Sequence, residues 1–485
     1  MAQPRFAFWL SLAAAVWVAA ASLSSGVLTA LLGLPVAGAL ALAALSASRE
    51  HEPKAARRVI GAGGVALLFA IGHLLFGGGG ALVSLAFALA VIHAGAQLSL
   101  ERLPVAAELP PRSPRGPGLA ACVAADESLL LLWDWNGGIS LPGNAAWLAD
   151  RLRAAAERNR ERGWLDEPER AHPLPPALEK PSVSRELLRR AGTVEHLRFE
   201  SEFEPFDPEA RDTFLGARAN RTAHAWLWRH AGPPRPTVVC LHGYTSGHAA
   251  PDSRAFDVAT LHRENGLDVV LYTLPLHGLR ASGRASGRGF LGGDPLFTNA
   301  AFGQAVWDLR RLTGWLRAEG APLVAVMGGS LGGYTTALYA SLDARLACAI
   351  PVVPPARFAR LVWSELAPDR RRALEAAGAS EELLDEAWAS HAVLRHRPRV
   401  AREDRLIVAA AADRLCTPAH ARELWEHWDR PEIHWYPGSH LVPIGRGAVR
   451  LRIANFLRQR LHEAPEAPAE AAAPSLSRFR LRGES

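Results

Sequence analysis

Four uncharged apolar segments in the first hundred residues constrain this chain more than any other feature of its sequence. Each is about as long as the hydrocarbon core of a bilayer is thick, and none contains Asp, Glu, Lys or Arg. The segments are FAFWLSLAAAVWVAAASL, VLTALLGLPVAGALALAAL, VIGAGGVALLFAIGHLLF and ALVSLAFALAVIHAGAQL. They predict a bundle of four transmembrane helices over residues 1–100. The first segment also fits a signal peptide, whose cleavage would leave three spans.

The loops between these segments differ in charge. The loop at 46–58 carries Arg49, Lys54, Arg57 and Arg58, whereas the separators at 24–26 and 77–80 carry no charge. Positive charge accumulates on the cytoplasmic side of a membrane, which places this loop and both ends of the bundle in the cytoplasm. We expect an integral protein of a bacterial inner membrane whose remaining domain faces the cytoplasm.

The net charge of +6 does not indicate a nucleic-acid partner. Only two of the 54 cationic residues are lysines, Lys54 and Lys180, and this excess of arginine is typical of a GC-rich bacterial genome. Since no Lys/Arg block with interleaved aromatic residues occurs, nucleic-acid binding is not predicted. The four cysteines have no metal-ligand spacing, so we interpret them as reduced core thiols and expect neither metal nor cofactor.

Two segments outside the bundle have little pattern of their own. Residues 101–184 are rich in Pro, Arg and Glu, and we interpret them as a juxtamembrane connector. Within it, LLLLWDW (129–135) fits either a strand or an interfacial anchor, and residues 145–159 have the pattern of a helix. The composition of residues 463–485 predicts a disordered tail.

Apolar strands alternate with amphipathic helices between residues 185 and 462. Two possible antiparallel strands, HLRFESEF and TAHAWLWRH, come first. Continuous apolar runs follow at 237–242, 268–273, 323–327, 347–353, 406–412 and 433–436. Buried strands separated by helices predict a mostly parallel sheet covered by helices on both faces, which is the α/β class.

A serine lies in a glycine-rich turn directly after one of these strands. The sequence Gly328-Gly329-Ser330-Leu331-Gly332 stands between LVAVM and a predicted helix. A nucleophile elbow needs small residues there, because the strand and the helix pass close to one another. We therefore predict that Ser330 is a nucleophile. An idle serine in a flexible turn is the alternative.

A serine nucleophile needs a base, and the base needs an acid that fixes its tautomer. Asp413 ends the strand LIVAAAA, at the edge of the sheet where active residues of parallel sheets gather. Glu403 and Asp404 lie at the opposite end of that strand. His440 follows the last strand in a turn, whereas His434 falls inside the strand. The predicted set is Ser330, Asp413 and His440.

Acyl transfer also needs two backbone N–H groups where the oxyanion forms. One should come from Leu331, which follows the nucleophile at a helix start. The turn His242-Gly243-Tyr244 after the 237–242 strand should supply the second, and we assign it to the Tyr244 amide.

The motifs LHGYTSG, LPLHGLR, MGGSLGGY, AADRLCTP and PGSH stand in an order that resembles α/β-hydrolase-fold serine esterases and lipases. The resemblance covers about residues 185–462. It implies that the insertion at about 356–402 is a helical cap over the site. LPLHGLR departs from the common pattern of the family, so His277 and Arg280 could line a substrate pocket or belong to a packed loop.

Together these features predict a membrane-anchored serine hydrolase that cleaves carboxylic esters through an acyl-enzyme. Membrane lipids are the expected substrate class, because the bundle would hold the site at the bilayer as a separable anchor. A peptidase or amidase of the same fold is an alternative, as is a non-catalytic sensor module. The sequence does not specify the oligomeric state.

Overall fold

A computed structural model describes residues 3–49, 54–76, 80–101, 116–135, 141, 143–188, 192–283, 285–291 and 294–462. The predicted disordered tail at 463–485 lies outside the described residues, as do residues 102–115 between the bundle and α5.

The first four helices are long and apolar enough to cross a membrane. Each helix packs against two others, so that α1 contacts α2 and α4, and α3 contacts α2 and α4. Small residues such as Ala14, Ala37, Ala62 and Ala88 fill the interior, which allows close helix–helix contact. These helices are α1 (Gln3–Ser24), α2 (Val27–Ser48), α3 (Ala55–Leu75) and α4 (Ala81–Glu101).

Two helices occupy the segment predicted as a connector. Helix α5 (Pro117–Trp135) includes the LLLLWDW stretch, so the strand interpretation of that stretch is wrong. Helix α6 (Ala145–Glu161) begins at Asn144, whose side chain accepts a hydrogen bond from Ala146 N at 2.8 Å. Its buried face, including Leu148 and Leu152, belongs to the main hydrophobic core of the domain that follows.

That domain is built on one nine-stranded sheet with the order β1-β2-β3-β5-β4-β6-β7-β8-β9. The strands are β1 (Ser182–Leu188), β2 (Gly192–Glu200), β3 (Thr222–Trp228), β4 (Thr237–Leu241), β5 (Asp268–Tyr272), β6 (Val324–Gly329), β7 (Ala349–Val352), β8 (Leu406–Ala410) and β9 (Glu432–Tyr436). Strands β1, β2 and β3 pair antiparallel, β3 pairs antiparallel with β5, and the six strands from β5 to β9 in the sheet order are parallel.

Helices cover both faces of this sheet. They are α7 (Pro208–Leu215), α8 (Ala249–Ala255), α9 (Arg288–Leu291), α10 (Pro295–Ala318), α11 (Leu331–Ala340), α12 (Phe358–Glu365), α13 (Pro368–Ala376), α14 (Glu381–Ala387), α15 (Pro418–His427) and α16 (Arg446–Leu461). Side chains alternate between faces along each strand, so Val239 and Leu241 join one hydrophobic core while Val238 and Cys240 join the other.

The order of the strands and the sharp turn between β6 and α11 are those of the α/β-hydrolase fold, as the sequence predicted. The carboxyl ends of the parallel strands meet at one edge of the sheet. The turns after β4, β6, β8 and β9 therefore converge there.

Candidate active site

Ser330 occupies the turn between β6 and α11 in a strained conformation. Its φ is 56° and its ψ is −115°, a region that non-glycine residues rarely adopt. The amide of Ser330 donates to the carbonyl oxygen of Val352 at 2.9 Å, which fixes the turn to the neighbouring strand. This conformation has the strand–turn–helix geometry of a nucleophile elbow, in which a serine hydroxyl lies at the top of the sheet.

Two glycines of the elbow are required by close backbone contacts. A Cβ atom on Gly332 would lie 1.9 Å from the carbonyl oxygen of Leu241, and one on Gly328 would lie 2.3 Å from the carbonyl oxygen of Gly332. A Cβ atom on Gly329 would meet nothing within 4 Å. The helix can thus approach the sheet only because positions 328 and 332 lack side chains.

His440 joins the other two predicted residues in one hydrogen-bonded chain. Its Nε2 atom lies 3.0 Å from Ser330 Oγ, and its Nδ1 atom lies 2.7 Å from Asp413 Oδ2. The second oxygen of Asp413 accepts from the amides of Leu415 at 2.9 Å and Cys416 at 2.7 Å. With Nδ1–H donating to the carboxylate, Nε2 is left to accept the hydroxyl proton of Ser330.

The pKa of His440 reflects two opposing effects. Burial lowers it, but the Asp413 carboxylate more than compensates, so the pKa of His440 lies well above its ordinary value. Asp413 thus favours the imidazolium that forms when a histidine takes a proton. The same environment raises the pKa of the buried Cys416 thiol, chiefly through burial, which keeps that thiol protonated.

The loop that carries Tyr244 passes close to the elbow. A Cβ atom on Gly243 would lie 3.6 Å from Ser330 Cβ, so the chain before Tyr244 borders the serine. His242 holds this loop: its Nδ1–H donates to Gly243 O at 2.8 Å, while its Nε2 accepts from Leu274 N at 3.0 Å. Burial lowers the pKa of His242 to about 4, which keeps it neutral for both bonds.

Leu331, the other predicted oxyanion residue, is the first residue of α11. The amides of the first turn of a helix have no acceptor within the helix and point toward its N-terminus. The Leu331 amide therefore lies at the N-terminus of α11, next to Ser330, and has no acceptor within the helix.

A cavity of about 370 Å³ opens beside Ser330 and His440. Its walls are mainly apolar and come from both sides of the elbow, including Phe256, Leu261, Met327, Val353, Val449 and Ile453. Asp252, Arg446 and Arg450 add charge to the lining. The arrangement suits a ligand with a long apolar part and a polar group near the serine.

His277 and Arg280, the proposed pocket residues, are fully buried and do not line this cavity. Arg280 pairs with Asp308 at 2.9 Å and donates to Tyr272 Oη at 2.9 Å. His277 Nδ1 lies 2.9 Å from the carbonyl oxygen of Pro275. Both residues therefore belong to a packed loop, which was the alternative interpretation. The buried guanidinium of Arg280 requires partners such as Asp308 and Tyr272.

The insertion at about 356–402 contributes no residue to the cavity lining. Its helices α13 and α14 pack against α6, and the carboxylate of Glu365 at the end of α12 pairs with Arg57 of α3 at 3.1 Å. The insertion therefore lies between α6 and the bundle, and it does not enclose the cavity as the resemblance implied.

Asp126 on α5 is a site residue that the sequence analysis did not single out. It is 2% exposed, and its carboxylate accepts from the amides of His440 at 2.6 Å and Leu441 at 3.0 Å. Burial, with the Asp413 carboxylate adding to it, raises the pKa of Asp126 to about 6. The available signal was an Asp-Glu pair within the apolar stretch AACVAADESLLLL.

One group in the described part of the chain is close enough to hold a metal ion: His230, His262 and Asp268. Asp268 Oδ1 already accepts from His230 Nδ1 at 2.8 Å and from His230 N at 2.9 Å. Asp268 begins β5, so the group lies at the edge of the sheet opposite Ser330. Its hydrogen bonds are satisfied without a cation, and its position gives it no contact with the candidate active site.

Comparison with known proteins identifies relatives in Mycobacterium tuberculosis, although no protein-family model matches the chain. The uncharacterized proteins MT2702 (strain CDC 1551 / Oshkosh) and Rv2627c (strain ATCC 25618 / H37Rv) are each 36% identical over 329 residues. The match covers 66% of this chain and 78% of each relative. The chain belongs to the family of these two proteins.

Solved structures similar to the chain include esterases and peptidases. The acetyl xylan esterase from Paenibacillus sp. R4 is 16% identical, with a TM-score of 0.42 over 65% of this chain and 96% of the esterase. The Pyrococcus furiosus esterase Pf2001 is 14% identical, with a TM-score of 0.37 over 60% and 98%. A puromycin-hydrolyzing peptidase of Mycobacterium tuberculosis is 18% identical, with a TM-score of 0.37 over 60% and 40%. Similarities of this strength carry no conclusion about substrate.

Proposed function

We propose that this protein is a membrane-anchored serine hydrolase that cleaves carboxylic esters, with Ser330 as nucleophile, His440 as general base and Asp413 as the acid that orients it. The observation that supports this most is the unbroken chain of hydrogen bonds from Ser330 Oγ through His440 to Asp413 Oδ2. A strained elbow that holds the serine in that chain adds a second, independent support.

Acylation begins when Ser330 Oγ bonds to the ester carbonyl carbon and its proton passes to His440 Nε2. Negative charge then develops on the carbonyl oxygen, which the amides of Tyr244 and Leu331 would stabilise. The intermediate collapses as the bond to the alcohol oxygen breaks, and that oxygen takes the proton from His440. The products of this step are the free alcohol and an ester between the acyl group and Ser330.

Deacylation repeats these steps with water. The oxygen of the water bonds to the acyl carbon while His440 takes a proton from that water. His440 then returns a proton to Ser330 Oγ as the carboxylic acid leaves. Asp413 stabilises the imidazolium in both halves of the cycle. The ester and one water molecule supply every atom of the two products, and the chain returns to its starting state.

The apolar cavity and the four candidate spans together favour lipid-like esters as substrates. A cavity of about 370 Å³ with mainly apolar walls accommodates an acyl chain better than a peptide or a sugar. Four helices able to cross a membrane would keep that cavity at the bilayer surface, where such esters are concentrated. We place the hydrolase domain on the cytoplasmic side of a bacterial inner membrane.

Hydrolysis of a graded substrate panel by the detergent-solubilised full-length protein tests the proposal. We expect turnover of aryl esters that improves from acetyl to octanoyl, slower turnover of matched aryl amides, and none by Ser330→Ala. Faster turnover of the amides would favour a peptidase or amidase. Equal turnover by Ser330→Ala and the unchanged protein would contradict the proposal, and no turnover of either series would favour the sensor alternative.

A further inference from the structure

Helix α5 joins the membrane bundle to the candidate catalytic loops through a continuous apolar contact. One hydrophobic cluster contains residues of three elements: Ile60 of α3, Ala96 of α4, and Leu119, Ala120, Val123 and Ala124 of α5. The same cluster includes Ala412, which is fully buried and directly precedes Asp413. The bundle, α5 and the residue next to the candidate acid thus share one hydrophobic cluster.

Asp126 of α5 binds the loop of His440 with both of its oxygens. Oδ2 accepts from the His440 amide at 2.6 Å, while Oδ1 accepts from the Leu441 amide at 3.0 Å and from Ser439 Oγ at 2.8 Å. Three consecutive residues of the loop are therefore held by one buried carboxylate. None of these hydrogen bonds reaches the imidazole of His440, so Asp126 holds the ring through the backbone of its loop.

Glu127, the next residue of α5, connects the loop of Asp413 to the bundle. Its Oε1 pairs with Arg414 Nε at 3.2 Å and accepts from Ser99 Oγ of α4 at 2.5 Å. Its Oε2 pairs with Arg57 Nε of α3 at 3.1 Å. Burial alone would raise the pKa of Glu127, but Arg414 and Arg57 outweigh it and lower the pKa. A charged Glu127 between two arginines thus links α3 to the residue that follows Asp413.

We infer that Asp126 is a positioning residue for His440, and that the bundle is a working part of the active site through Arg57, Glu127 and Arg414. The inference rests on the proposed function of Ser330, His440 and Asp413. It replaces the expectation of a separable anchor, because both catalytic loops depend on a helix that the bundle supports.

Loss of the Asp126 carboxylate removes the acceptor of two backbone amides, those of His440 and Leu441, and frees the loop to shift. A displacement of about 1 Å at a catalytic group is enough to lower a rate about a hundredfold. Binding of substrate should change little, since most of the cavity wall comes from other elements. The expected signature is therefore a lower kcat with a KM close to that of the unchanged protein.

The test uses full-length protein in detergent with a soluble aryl ester. We expect kcat to fall about a hundredfold in Asp126→Ala and less in Asp126→Asn, which keeps one oxygen as acceptor but presents an NH₂ group to the other contacts. Asp343→Asn is the matched control: Asp343 is 5% exposed and caps the backbone amide of Arg345 at 3.0 Å. It has no contact with the catalytic loops, so its kcat should stay within about twofold.

Hydrogen exchange of the peptide that contains residues 437–444 separates this inference from the proposed function. We expect faster exchange at His440 and Leu441 in Asp126→Ala and no change in Asp343→Asn, whether or not the protein hydrolyses the ester. If the unchanged protein is inactive, the proposed function fails and exchange alone decides whether Asp126 holds the loop. Unaltered exchange in Asp126→Ala would overturn the role of Asp126. So would an unchanged kcat in a variant whose His440 and Leu441 amides exchange faster.

Arg57→Gln tests the contribution of the bundle, with Arg49→Gln as a control because Arg49 is an exposed residue of the same basic loop. Arg57→Gln should lower kcat and speed exchange at residues 413–416, while Arg49→Gln should change neither. Full kcat in Arg57→Gln, together with a low kcat in Asp126→Ala, would overturn the link to the bundle and leave only the contact with His440.

Discussion

His440 Nε2 lies 3.0 Å from Ser330 Oγ, although 110 positions separate the two residues in the chain. The contact exists because β6 and β9 belong to the parallel part of one sheet, where the turns after both strands open at the same edge. A histidine in this position can accept the hydroxyl proton without any movement of the backbone. The consequences for reactivity can be measured residue by residue.

Asp413→Asn should fold and hydrolyse esters on the order of 10⁴-fold more slowly. The amide still accepts from the backbone at Leu415 and Cys416, but its NH₂ group faces His440 Nδ1 and favours the wrong tautomer. Asp404→Asn is the matched control, because Asp404 pairs with Arg460 at the other end of β8. Steady-state kinetics would measure the activity of both variants, and a thermal melt would show whether they fold. An equal loss of activity in both would contradict the assignment of Asp413 as the acid that orients His440.

His440→Ala should lose activity on the order of a millionfold, as expected when a triad base is removed. His434→Ala should retain activity within a few fold, since His434 is a partly exposed residue within β9. Both variants remove one imidazole from the same end of the chain, but only His440 contacts Ser330 and Asp413. Inactivity of His434→Ala with survival of His440→Ala would show that the base has been misassigned.

The pH dependence of kcat/KM should report the raised pKa of His440. Only the neutral imidazole accepts the proton of Ser330, and burial of His440 is outweighed by the Asp413 carboxylate. Activity should therefore be low in acid and rise with pH, with a midpoint above the ordinary histidine value of about 6.5. Asp413→Asn should move the midpoint to lower pH. A midpoint that is unaffected by this substitution would contradict the effect of Asp413 on the pKa of His440.

The hydrolase domain should lie on the same side of the membrane as the basic loop between α2 and α3. Lys54 Nζ contacts Asp134 at 3.0 Å and the Glu365 carbonyl oxygen at 3.2 Å, so the beginning of α3 faces the domain. Since basic loops stay in the cytoplasm, a C-terminal fluorescent reporter should be active there and an alkaline phosphatase reporter inactive. An active alkaline phosphatase reporter with an inactive fluorescent reporter would contradict this orientation of the domain.

Much of the fold could be predicted because its elements have characteristic local sequence patterns. Buried parallel strands have continuous apolar runs, and the elbow needs glycines on both sides of Ser330, so neither depends on distant residues. The same logic placed Asp413 and His440 at strand ends, and the structure brings them into contact with Ser330.

Helix α5 was not predicted because its exposed face is apolar as well, with Leu129 48% and Leu132 53% exposed, so the run has no helical alternation of polar and apolar residues. The LLLLWDW stretch therefore resembled a strand. Asp126 escaped for a different reason: its partners are backbone amides more than three hundred positions away, and such contacts leave no local motif. The sequence likewise gave no sign that Arg280 would be buried and paired with Asp308.

Covalent labelling with a fluorophosphonate, followed by peptide mapping, tests the central claim most directly. The reagent reacts much faster with a serine whose hydroxyl is activated by a base than with other hydroxyls, and it requires no knowledge of the natural ester. We expect one adduct per chain on the peptide that contains Ser330, formed by the unchanged protein and absent from Ser330→Ala. An adduct on another serine, or no adduct on a folded protein, would contradict the account of Ser330 as an activated nucleophile.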